Sequence, residues 1–102
     1  LPEIVDVVAG RAKIMVDGSF CWGTDIVKAI ASGADLVGIG RLQCWALAAA
    51  GESGIVRMLE LLEDEMKRDL GLMGCESVKK LDRSYVYPAM PVRTSSRFSE
   101  RR

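Results

Sequence analysis

Two short apolar runs, each closed by a glycine turn that leads towards a helix, constrain the fold more than any other feature. Residues 12–16 (AKIMV) end at Asp17-Gly18-Ser19, a turn signal, and residues 34–40 (ADLVGIG) end at Gly40-Arg41. Between them Thr24 can cap a helix through Ser32, with Gly33 just past its end. The second run is apolar throughout rather than alternating, which suits a strand covered on both faces, as in parallel sheets. Strand, helix and strand joined by short connections predict a parallel α/β unit.

The flanks extend the pattern. Residues 1–8 predict a helix, with Pro2 in its first turn and Gly10 at its stop. Residues 42–50 predict a small Ala-rich helix. From Glu52 onward Ile55, Met58, Leu59, Leu62, Met66 and Leu70 recur at helical spacing. Glu60, Glu63, Asp64, Glu65, Lys67 and Arg68 fall around them and read as a solvated face with pairs such as Asp64–Arg68. Leu72-Met73-Gly74 breaks this helix, and residues 77–81 can form one more turn. Two parallel strands leave both sheet edges open and the helix faces unpaired. The expectation is a piece of a larger domain, or a subunit that completes another chain. The start without methionine or cap fits that expectation.

Composition narrows the chemistry. The 102 residues include no histidine, which removes the commonest general base near neutral pH and the commonest metal ligand. Fourteen basic and fourteen acidic residues cancel, so no net field draws the chain to nucleic acid or a membrane surface. The charges are unevenly placed. Residues 1–82 hold nine Lys/Arg against thirteen Asp/Glu, and residues 83–102 hold five arginines against one acid. That tail, with Pro88, Pro91 and a Ser/Thr cluster, reads as a basic, flexible arm. Cys21, Cys44 and Cys75 lack a metal-type spacing and read as thiols in a reducing, cytoplasmic compartment. No run is apolar enough to read as a membrane span.

In α/β proteins ligands bind where loops leave the carboxyl ends of the strands. Here those ends are Asp17-Gly18-Ser19-Phe20-Cys21 and Gly40-Arg41. Glycine allows a tight turn and close approach of the backbone to a ligand. Successive amides and a helix N-terminus suit phosphate, and Arg41 can pair with its oxygens. Taken singly, each motif is a turn glycine or a surface cation. Both together, at neighbouring strand ends, favour phosphate. Cys21 is an ordinary loop thiol on its plainer reading, although a helix N-terminus beside it is a setting that activates thiols. Trp22 and Trp45 follow the two loops and can serve as packing or as a cover for a bound ring.

The string VDGSFCWGTDIVKAIASGADLVGIGR (residues 16–41) resembles the closing strands of phosphate-binding TIM barrels. The stretch WALAAAGESGIVRMLELLEDEM followed by LMGCESVKKL resembles the C-terminal end of the FMN-dependent α-hydroxy acid oxidases and dehydrogenases. The likeness covers about residues 1–86. It implies an α/β fold, the last two βα units of a (β/α)8 barrel, over residues 1–82. It implies FMN as cofactor, with Asp17, Gly18, Ser19, Phe20 and Cys21 in the first phosphate-binding stretch and Gly40 and Arg41 in the second. The family usually has glycine where Ser19 stands, arginine where Cys21 stands and proline where Leu42 stands. It implies a small α-hydroxy acid as substrate of the whole assembly, the remainder of the barrel as partner, and a homo-oligomeric parent. The family's histidine base and substrate-gripping residues belong upstream, so the chain is expected to be inactive alone. Two other readings stay open: a non-catalytic split or truncated barrel subunit that binds another polypeptide, and a fragment of another phosphate-binding barrel.

Overall fold

A computed structural model describes residues 1–90; the rest of the basic tail, residues 91–102, lies outside the described residues. The chain forms α1 (Pro2–Val8), β1 (Met15–Asp17), α2 (Gly23–Ala31), β2 (Leu36–Gly38) and α3 (Arg41–Met73), followed by single 3-10 turns at Val78–Lys80 and Arg83–Tyr85. This is the element order expected from the sequence. Arg83, inside the stretch read as tail, donates to the Asp6 carboxylate at 2.8 Å and the Pro2 carbonyl at 3.2 Å, tying the second turn to α1. Among the described residues no helix is long and apolar enough to cross a membrane.

The strands pair in parallel, with Met15 opposite Leu36, Val16 opposite Val37 and Asp17 opposite Gly38. Both are shorter than the apolar runs that announced them. The start of the first run is held by a side chain instead: the Asp35 carboxylate accepts from the Lys13 ammonium at 2.7 Å and the Ile14 N–H at 2.9 Å. Paired residues share a face, so Met15 and Leu36 lie together, and both are more than half exposed. Within this chain one face of the sheet is therefore open. Val37 instead joins the packed side with α2.

The Lys13 hydrogen bond, followed by that from Ile14, holds the Asp35 carboxyl below its usual 3.8. A carboxyl depressed in this way stabilises the fold above its unfolded value, and the contribution is lost as pH falls through the folded value. Asp35→Asn is expected to flatten the acid side of the stability profile below about pH 4. Urea unfolding at stepped pH checks this, and identical profiles for the two proteins would contradict it.

Helix α1 ends at Val8 as expected, with Ala9 already in the left-handed region (φ 47°) before Gly10 (φ 74°). Arg11 donates to the Val7 and Val8 carbonyls at 2.8 and 3.1 Å, satisfying groups the helix end leaves over. At α2 the capping residue is corrected. Thr24 lies inside the helix, and the Asp25 carboxylate reaches back to the Trp22 and Cys21 N–H groups at 3.1 and 3.3 Å.

Helix α3 is two arms. Ala50 (φ −153°, ψ 24°) and Gly51 (φ 60°, ψ −141°) leave helical geometry, which places the boundary where the small Ala-rich helix was expected to meet the long amphipathic one. A Cβ on Gly54 would run into the Ala46 carbonyl oxygen, so glycine lets the arms close on each other. The core is Ile26 of α2 with Met58 and Leu62 of α3, flanked by Phe20, Ile30, Val37, Ile39, Leu42 and Met66. The apolar stripe is narrower than its sequence spacing implied, because Leu59 is half exposed. On the polar face the ion pairs are Glu63–Lys67 at 2.6 Å and Arg57–Glu60 at 3.1 Å rather than Asp64–Arg68.

Candidate phosphate site at the strand ends

The register of the sheet places the two loops side by side, since Asp17 and Gly38 end the strands as partners. A Cβ on Gly38 would lie 3.1 Å from the Asp17 Cβ, so the close approach suits glycine there. Beyond Asp17 the backbone turns through Gly18 at φ 126°, a region nearly reserved for glycine. Ser19 follows in the left-handed conformation at φ 59°.

Across the gap the Arg41 Nη2 donates to the Ser19 Oγ at 2.9 Å, joining loops 22 positions apart. Ser19, Phe20, Cys21, Gly40, Arg41, Leu42 and Trp45 enclose a cleft of 210 Å³. Among the described residues Arg41 is the single charged side chain on its wall, and no carboxylate lines it. The first bond within the following helix runs from the Cys44 N–H to the Gly40 carbonyl at 3.3 Å, leaving the earlier amides of that turn at the cleft end of α3. Among the described residues, the amides of Ser19 and Phe20 are likewise matched with no acceptor.

Of the seven residues singled out in the sequence, five line this cleft. Asp17 and Gly18 shape its approach without lining it. Phe20 is half-buried against the Ile26–Met58–Leu62 core and anchors its loop from behind. The Cys21 amide is directed to Asp25 and not into a donor cluster with its neighbours.

Leu42 and Trp45 complete the wall. Trp45 stands four residues after Arg41, a spacing that puts both on one face of α3, and this was the signal available in the sequence. Glu65 was grouped with the solvated acids, yet it is half-buried and accepts from the Gly23 N–H at 2.6 Å. Thr24 similarly donates to Asp69 at 2.7 Å. These carboxylates occupy the start of α2, which leaves the start of α3 and the Gly18 turn as the anion-receptive edges.

The sequence profile of the FMN-dependent dehydrogenase family matches residues 1–88. This chain belongs to that family. Over 86 residues it is 43% identical to 2-hydroxyacid oxidase 1 of Homo sapiens, covering 84% of this chain and 23% of that one. Over 78 residues it is 50% identical to 4-hydroxymandelate oxidase of Amycolatopsis orientalis, covering 76% of this chain and 22% of the relative. A solved mandelate oxidase structure superposes with a TM-score of 0.74 at 49% identity, covering 78% of this chain and 24% of that one. The chain thus spans less than a quarter of the length of the relatives it matches.

The family's cofactor is FMN, and one solved mandelate oxidase variant contains a C4a-OH-FMN adduct. The donor set found here fits the phosphate end of that cofactor. It combines one guanidinium, one hydroxyl, backbone amides from a glycine turn and a helix N-terminus, and among the described residues no carboxylate on the wall repels a dianion.

Proposed function

We propose that this chain holds the FMN phosphate, as the last two βα units of a (β/α)8 barrel that oxidises small α-hydroxy acids to 2-oxo acids. The Arg41–Ser19 contact across the carboxyl ends of two parallel strands carries the reading, because it makes one cationic cleft from two loops. In that cleft Arg41 neutralises the phosphate. Amides of Gly18 and Ser19 and of the first turn of α3 donate to its oxygens, and Asp17 fixes the point where the first loop leaves its strand. Bound FMN supplies a two-electron acceptor for the substrate's hydride. The residues of this chain anchor that group, and the chain contains no histidine, the commonest base near neutral pH. The rest of the barrel covers the open Met15–Leu36 face, and the chain alone turns over no hydroxy acid.

Amide NMR spectra of the chain, titrated with FMN, inorganic phosphate and riboflavin, test this. FMN and phosphate are expected to shift the Gly18, Ser19, Gly40 and Arg41 amides, and riboflavin is expected to leave them in place. Equal shifts with riboflavin, or none with any of the three, would contradict the reading.

A further inference from the structure

The hydroxyl of Ser19 has a task that a backbone-only phosphate loop does not provide. Its residue sits at φ 59°, where a Cβ is disfavoured and glycine would be easier. A side chain kept in an unfavourable conformation invites the question of what that side chain does. Its Oγ accepts from Arg41 Nη2 at 2.9 Å and still carries one O–H to donate. Ser19 and Arg41 both line the cleft, and Cys21 stands beside them where the resemblance implies arginine.

We infer that Ser19 is a positioning residue: its hydroxyl steers the Arg41 guanidinium to the phosphate and passes the polarisation on, in the order guanidinium N–H to Ser19 Oγ, then Ser19 O–H to a phosphate oxygen. Chained hydrogen bonds of this kind strengthen one another. The lone arginine then holds the anion in one orientation, offsetting the missing second cation. The inference rests on the proposed phosphate site and adds to it a role specific to this side chain.

Ser19→Gly separates this role from backbone fit, since it removes the hydroxyl and relaxes the conformation together. The variant is expected to melt at the same temperature or higher, yet to bind FMN and inorganic phosphate roughly five- to tenfold more weakly by NMR titration, the loss of one charge-assisted hydrogen bond. Riboflavin shifts stay unchanged. In an Arg41→Ala background the same substitution is expected to have a smaller effect on phosphate binding, because only the direct Ser19 O–H donation is then lost. Without ligand, the Arg41 side-chain N–H resonances are expected to move in Ser19→Gly.

Phosphate affinity equal to that of the unaltered chain, an undiminished effect without Arg41, or unmoved Arg41 resonances would each overturn the inference. The resonance measurement needs no ligand. A failure there leaves the phosphate site standing, whereas a parent chain blind to phosphate removes the site itself.

Discussion

Arg41→Ala is expected to lower the affinity for FMN by about 10- to 100-fold and to leave riboflavin binding unchanged, the scale of a hydrogen bond to a charged group at about 1.5–3 kcal/mol. Its magnitude follows from how few charges the site has. Among the described residues Arg41 is the single charged side chain on the cleft wall, so its removal leaves only neutral donors there facing a dianion. Arg41→Lys is expected to recover part of the loss, because an ammonium keeps the charge but not the planar fork that meets two oxygens at once. The effect should also shrink as salt rises, since Arg41 is exposed in the chain. Calorimetric titration with FMN and riboflavin at two salt concentrations measures all three points. An alanine variant that keeps the full preference for FMN would place the phosphate elsewhere.

Gly23→Ala is expected to destabilise the fold by about 2 kcal/mol or more, through overpacking and a displaced hydrogen bond to a carboxylate. The new Cβ would lie 2.6 Å from Glu65 Cβ, 2.7 Å from the Leu62 carbonyl oxygen and 2.8 Å from the Met66 nitrogen. Two of those atoms belong to the backbone of α3 and cannot rotate aside. The Gly23 N–H also gives Glu65 its 2.6 Å hydrogen bond, which parts when the helices move apart. Alanine's better helix propensity, about 1 kcal/mol over glycine, works in the opposite direction and is outweighed. Gly71 is the control. No atom lies within 4 Å of a Cβ placed there, so Gly71→Ala is expected to stabilise by about 0.5–1 kcal/mol. Urea unfolding of the two variants should show opposite signs. Equal stability of Gly23→Ala and the parent would mean that α2 does not rest on α3 in this way.

The features readable from the sequence are those governed by neighbours along the chain. Gly18 marks a turn because its backbone at φ 126° needs glycine, and the repeat from Ile55 to Leu70 marks a helix because its period is local. Ala50-Gly51 divides α3 for the same reason. What escaped depends on groups far apart in sequence. Asp25 takes the cap that Thr24 could have held, because Thr24 is claimed by Asp69, 45 positions away. Glu65 looks like any exposed acid until α2 arrives against it. The strands are short because Asp35 grips Lys13 and Ile14 with its side chain before the ladder starts. At the site, the glycine turns and Arg41 were legible as separate phosphate features. Their connection was not, since a hydrogen bond from Arg41 to Ser19 requires the register of β1 against β2.

The most direct measurement is the flavin content of a chimaera in which residues 1–88 replace the matching segment of the Amycolatopsis orientalis 4-hydroxymandelate oxidase. That host supplies the remaining three-quarters of the chain, the part that the proposal has cover Met15 and Leu36. Here the segment is tested in the setting the proposal assigns to it, and circular dichroism checks that the chimaera folds. The chimaera is expected to purify yellow with FMN bound, and its Arg41→Ala form to purify folded but largely colourless. A folded chimaera without flavin, or one whose flavin content is indifferent to Arg41, would contradict the claim that these two strand-end loops hold the phosphate.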